Sequence, residues 1–232
     1  MMQVIPSRSL NGLYILLDCL FLVLFCAALL WQKKRLTFLF AMFGGILYFL
    51  VDWGIFYHLL GTRKVTGMNA TPFLFWLSMS YGITNFAWIW LWLEKDKHVK
   101  EWALLIISGW FCSALLSQQY GGPATIHIER GTAYHGIMAL ILFVGYVAVV
   151  LHNFMEEDQI SVVRLNIIGI VVQFSWEAVL LVCGIRNPGF GPIVVDSLIE
   201  TNLGLPYIYF IQKAVLSRWN EDLSANKPLR TN

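Results

Sequence analysis

The sequence predicts an all-α integral membrane protein of seven transmembrane helices, and three observations carry that prediction. Of its 232 residues, 58% are apolar and 13% charged, with a mean hydropathy of +0.65, whereas a soluble domain carries about 25% charged residues. The charges gather in short clusters, and between them lie apolar runs of about 20 residues, enough to cross a hydrocarbon core of about 30 Å. The runs lack the alternation of barrel strands, and an open strand leaves its backbone unsatisfied in lipid, so helices are the economical solution.

In order, the spans are Leu10 to Trp31, Phe38 to Leu60, Pro72 to Leu93, Val99 to Ser117, Thr132 to Leu151, Val162 to Ile185 and Pro192 to Leu216. They form one transmembrane domain over residues 1–219, followed by a polar cytoplasmic tail over 220–232. The first span is too long and too weakly flanked by positive charge for a cleaved signal peptide, so it is expected to stay in the mature protein. The runs leave no room for a soluble catalytic domain, and any chemistry is expected between helices.

Orientation follows from the basic residues. Lys33, Lys34, Arg35, Lys95, Lys97, Lys100, Arg164, Lys213, Arg218, Lys227 and Arg230 fall on one side, and Arg8, Arg63, Lys64, Arg130 and Arg186 on the other. Cytoplasmic loops hold the excess, which puts the N-terminus outside or in the lumen and the C-terminus in the cytoplasm. The longer outer connection, Tyr120 to Gly131, is expected to fold over a cavity mouth. The expected setting is a multi-pass protein of the plasma membrane in a bacterium or the endoplasmic reticulum in a fungus. A net charge of +2 is too small to imply nucleic acid. Cys19, Cys26, Cys112 and Cys183 lie in apolar runs without CxxC spacing and read as packing residues rather than zinc ligands or a disulfide framework.

Two short echoes suggest internal repetition. Gly44 to Asp52 (GGILYFLVD) aligns with Gly169 to Glu177 (GIVVQFSWE), and Thr84-Asn85-Phe86-Ala87 with Thr201-Asn202-Leu203-Gly204. Helices 2 and 3 then correspond to helices 6 and 7, a 3+1+3 arrangement of parallel repeats as in SWEET-type sugar transporters.

The chemistry-bearing residues are acids inside the spans: Asp18, Asp52, Glu177, Asp196 and Glu200. A charge at mid-bilayer costs several kcal/mol, so an intramembrane acid is a functional candidate that faces the bundle interior. Counting along the helices puts Asp52, Glu177 and Glu200 at one level, roughly 12 Å below the outer face. With almost no basic residue in the spans, desolvation and mutual repulsion are expected to leave at least one of them neutral and able to donate a proton. Asp18 and Asp196 are expected nearer the surface, in solvated structural roles.

Aromatic residues crowd the same level: Tyr48, Trp53, Phe56, Tyr57, Trp76, Tyr81, Trp88, Trp90, Trp176, Tyr207 and Tyr209. A lone Trp reads as an interfacial anchor, but ring faces around an acid also attract cations, by about 0.5 to 2 kcal/mol each. A neutral acid in such a pocket can protonate an alkene or epoxide while the rings shelter the carbocation. His58, His127 and His135 have no HxxxH or HExxH spacing, so no metal site is expected. Nor is there a DDxxD cluster to hold magnesium and a diphosphate; Glu156-Glu157-Asp158 is a solvated loop face.

These residues resemble the small seven-helix membrane terpene cyclases of fungal meroterpenoid and indole-diterpene pathways, typified by the pyripyropene and paspaline cyclases, with relatives in bacterial drimentine-type pathways. Val51-Asp52-Trp53-Gly54-Ile55-Phe56-Tyr57 is similar to that family's acid-bearing Trp-Glu-x-x-Tyr segment. Glu200-Thr201-Asn202-Leu203-Gly204, followed by Tyr207 and Tyr209, is similar to its last-helix acid ahead of small residues and tyrosines. The Lys100-Glu101-Trp102 junction and the connection from Gly121-Gly122-Pro123 to Ala133-Tyr134 resemble the corresponding connections. The resemblance implies that Asp52 and Glu200 are the proton donor and its support. Asp and Glu are exchanged relative to the family's habit, and Glu177 has no counterpart in its pattern.

The expectation is therefore a cyclase without metal or other cofactor, acting on a lipophilic prenylated substrate taken from membrane lipid, with no obligatory protein partner. Asp52, Glu200 and Glu177 are its catalytic candidates, and Trp53, Tyr57, Tyr81, Asn85, Trp88, Trp176, Asn202 and Tyr207 its pocket. The competing reading is a SWEET-like or proton-coupled carrier that uses the same acids, with Asn85 and Asn202 paired around a polar solute. A third is a non-catalytic scaffold or sensor. Pro206 on the seventh helix is matched by Ile89 on the third, which favours a fixed pocket over alternating access.

Overall fold

Asparagine and serine side chains open three of the helices, as capping rules favour. Asn11 accepts from the Tyr14 N–H (3.1 Å), Asn69 from Thr71 (3.0 Å) and Ser161 from Arg164 (3.2 Å). In this computed structural model, which describes residues 7–131, 135–157, 159–189, 194–195, 198–199 and 201–225, seven helices follow. They are α1 (Gly12–Trp31), α2 (Arg35–Phe49), α3 (Ala70–Leu93), α4 (Val99–Tyr120), α5 (His135–Met155), α6 (Val162–Val182) and α7 (Thr201–Ala225). Five spans, Gly12–Trp31, Arg35–Leu59, Val99–Tyr120, Gly136–Met155 and Val162–Val182, are long and apolar enough to cross a membrane. The fold is the predicted all-α bundle, and of the expected last span the described residues 194–195 and 198–199 are helical ahead of Thr201.

Helix α3 is long enough to span but more polar, and its position explains why. It packs against α1, α2, α4, α6 and α7, so Ser78, Ser80, Thr84 and Asn85 are buried completely and protein, not lipid, surrounds them. Its closest neighbour is α2, through glycines. A Cβ on Gly82 would stand 2.6 Å from Gly45 Cα, and one on Gly44 2.1 Å from the Phe86 ring, the small-residue contact that lets membrane helices approach. The aligned Gly169 does the same in the second half, where its missing Cβ leaves room for Asn202, 2.3 Å from where that carbon would lie. The glycines paired by the sequence echo thus both seat the next helix of their half.

Two features depart from a plain bundle. Helix α2 continues as a π-helical segment, Leu50–Leu59, which ends with the Leu60 N–H bonded to Ile55 O at 2.8 Å, and Asp52 is its buried residue. Three strands, β1 (Ser7–Leu10), β2 (Arg63–Thr66) and β3 (Ile126–Arg130), form an antiparallel sheet in the order β1-β3-β2. All three come from segments predicted to be outer, so the Tyr120 to Gly131 connection does lie over the bundle end, as the central strand of a sheet. The register sets Arg8 and Val65 opposite Ile128, and Arg63 opposite Arg130. Side chains alternate across a strand, so Arg8, Arg63, Leu10, Ile126 and Ile128 share the inner face.

Candidate functional site

That inner face decides the electrostatics of the intramembrane acids. The π-helical segment turns Asp52 inward, and Arg63 of β2 reaches down to it, Nη2 to Oδ1 at 2.5 Å, with both side chains buried. The Tyr81 hydroxyl of α3 donates to the other oxygen at 2.6 Å. Around this group the Tyr48 ring lies 4.9 Å from Tyr81 and 5.2 Å from Phe86, and Arg63 stands over the Phe56 ring at 5.8 Å.

Glu177 of α6 is held in a second centre. Arg8 of β1 donates to Oε1 at 2.7 Å and Arg186, just past α6, lies 2.8 Å from Oε2. The Gln173 amide, one turn away, donates to Oε1 at 3.2 Å. Arg8 and Arg186 meet across an isolated bridge, and the Ser9 N–H bonds Ile185 O at 2.8 Å, so β1 fixes both cations over one carboxylate.

These contacts correct the expectation that Asp52 and Glu177 lack basic partners. The arginines are supplied by outer connections that the span-by-span reading treats as solvated. A buried ion pair is sustained only when its remaining hydrogen-bonding capacity is met, which Tyr81 and Gln173 contribute here. Asp52 meets Arg63, and Glu177 meets Arg8 and Arg186.

Among the described acids of the spans, the one with no basic partner is Asp18, contrary to the solvated role expected of it. It is fully buried on α1, its Oδ2 accepts from the Trp76 indole at 2.9 Å, and Oδ1 has no hydrogen-bond partner among the described residues. Glu200 and Asp196 lie outside the described residues.

The predicted pocket residues do not line one chamber. Only Tyr81 touches a described acid. Trp53 bonds Thr71 through its indole at 3.0 Å and stacks on Phe49, and Tyr57 packs on His58. Trp88 and Trp176 both meet Trp110, at 6.0 and 4.8 Å, in the bundle core. Asn202 accepts from Tyr146 at 3.1 Å, and Tyr207, on the flank toward α5, donates to Ile141 O at 2.8 Å. Asn85 is fully buried with neither amide atom hydrogen-bonded among the described residues. Sequence reasoning missed Arg8, Arg63 and Arg186 as site residues. The available signal was alternation in Ile126-His127-Ile128-Glu129-Arg130 and Arg63-Lys64-Val65-Thr66.

Chemically, Asp52 is a buried carboxyl group bonded to a guanidinium and a phenol beside ring faces. Its contact with Arg63 shows that a cation can be held against it in the bundle interior. No family model, curated protein or solved structure matches the chain. The functional reading therefore rests on these residues and their geometry.

Proposed function

We propose that the protein is a membrane-bound terpene cyclase that starts from an epoxide or alkene of a prenylated substrate by acid catalysis, without metal. The observation that supports this reading best is the buried Asp52 carboxylate bonded to Tyr81 among the rings of Tyr48, Phe56 and Phe86. In the proposed reaction Glu200, the last-helix acid, protonates the terminal epoxide or alkene and the prenyl chain closes onto the cation. Ring faces and the Asp52 carboxylate stabilise the charge. Asp52 then accepts the proton lost from carbon, with Tyr81 orienting it. Proton gain and loss balance, so product and substrate are isomers.

The test is to incubate membranes containing the protein with farnesylated and epoxyfarnesylated aromatic compounds and to follow products by mass spectrometry. New products of unchanged mass, lost in Asp52→Asn and Glu200→Gln, support the cyclase. A carrier is the second reading, favoured by the matching roles of Gly44 and Gly169 in the two halves. It gains if no compound is converted while vesicles show solute or proton flux that depends on the same acids.

A further inference from the structure

Away from the acids, the cytoplasmic ends of α3 and α6 leave an open groove of about 270 Å³ whose lining includes Trp92, Val163, Arg164, Ile167 and Val171. Val163, Ile167 and Val171 recur every four residues on α6, one above the other, and all are exposed. At 1.5 Å per residue they run about 12 Å inward from the membrane surface. Arg164 stands at the start of this row, pinned by a hydrogen bond from Nη2 to Trp92 O at 2.9 Å. Among the described residues it has no carboxylate partner. This is a fixed guanidinium at headgroup depth, at the head of an apolar track open to lipid.

We propose that this groove binds an anionic phospholipid of the cytoplasmic leaflet, with its phosphate on Arg164 and one acyl chain along Val163, Ile167 and Val171 against Trp92. Guanidinium and phosphate match in charge and fork geometry. The basic residues place this end in the cytoplasmic leaflet, where anionic lipids are concentrated. A zwitterionic headgroup brings its own cation to the same rim and gains less. The lipid occupies a seam between a helix of each half, bridging them where α3 emerges from the core.

Native mass spectrometry of the intact protein, released from micelles holding equal phosphatidylglycerol and phosphatidylcholine of identical chains, tests this. Phosphatidylglycerol is expected to be retained about fivefold over phosphatidylcholine, the effect of one basic residue near an anionic headgroup. Arg164→Gln should bring the two lipids to parity and Arg164→Lys should keep most of the preference, which separates lost charge from a damaged fold. Ile167→Trp, on the lipid-facing row, should fill the groove and reduce retention of both lipids. Excess inorganic phosphate should displace nothing. Unchanged selectivity in Arg164→Gln, or unchanged retention in Ile167→Trp, overturns the proposal. Displacement by free phosphate would make this a simple anion site, and displacement by a farnesylated compound a substrate portal; either result also overturns it.

Discussion

Asp52 and Arg63 are eleven positions apart in sequence and in contact in the structure, and a buried pair of this kind is far more sensitive to losing one member than both. Asp52→Asn leaves the Arg63 guanidinium without its carboxylate, and a stability loss of about 3 kcal/mol is expected. The double variant Asp52→Asn/Arg63→Gln should lose less than Asp52→Asn alone, which thermal unfolding in micelles can measure as a double-mutant cycle. An additive cycle would mean that the pair is not coupled. Asp18 behaves differently because its bonded partner is an indole. Trp76→Phe removes that donor and should cost about 2 kcal/mol, while Trp31→Phe, at a position 84% exposed, should change stability by under about 0.5 kcal/mol.

Among the elements, the contact between α2 and α3 is the tightest, and it depends on backbone meeting backbone. Gly82→Ala must separate the helices because the new carbon meets Gly45 Cα, so a loss of about 1 to 3 kcal/mol is expected. Gly54→Ala, where nothing lies within 4 Å, is the control, and equal melting temperatures for the two would refute this packing. At the end of the bundle away from the sheet, the α1–α2 and α3–α4 turns close alike. Lys33 and Lys95 adopt left-handed conformations (φ 59° and 57°), and N–H groups bond back, Lys34 to Leu29 O and Asp96 to Leu91 O, as in a glycine-type helix stop. Lys34 and Asp96 then pair across the two turns. Burial works against the Asp96 charge, but the Lys34 ammonium and the His98 N–H outweigh it and hold the carboxyl below its ordinary range. A carboxyl depressed by folding contributes stability above its unfolded pKa of about 3.9 and loses it as pH falls through the lower folded value. Lys34→Met should therefore flatten the fall in melting temperature below about pH 4, by under about 1 kcal/mol because the pair is partly exposed.

At the level of the whole molecule, the outer sheet joins three distant segments and carries an arginine to each of two acids. β3 is its centre, so breaking β3 should release both edges. Ile128→Pro removes a ladder donor between Arg8 and Val65 and should speed amide hydrogen exchange in β1 and β2 as well as β3. Exchange confined to residues 126–130 would show that the strands hold independently. At the same end of the bundle the Asn11 amide donates to Ser117 O at 2.9 Å and links α1 to α4.

The bundle and its spans were legible in the sequence because lipid imposes a simple rule: a run of about 20 apolar residues must become a helix. The Gly44 and Gly169 segments were legible as an echo of one another, but that both glycines sit at close helix contacts was not. The charge state of the site was not legible. Whether Asp52 or Glu177 stands alone depends on loops distant in sequence, and Arg8 lies 169 positions from Glu177. The same hydropathy that placed Asp18 near a surface could not report that α3 would bury it under Trp76. The sequence by itself determined which segments are helical and that Asp18, Asp52 and Glu177 lie within them. Tertiary structure alone decided which acids meet a cation, because strand register and helix packing bring together charges that no local pattern connects.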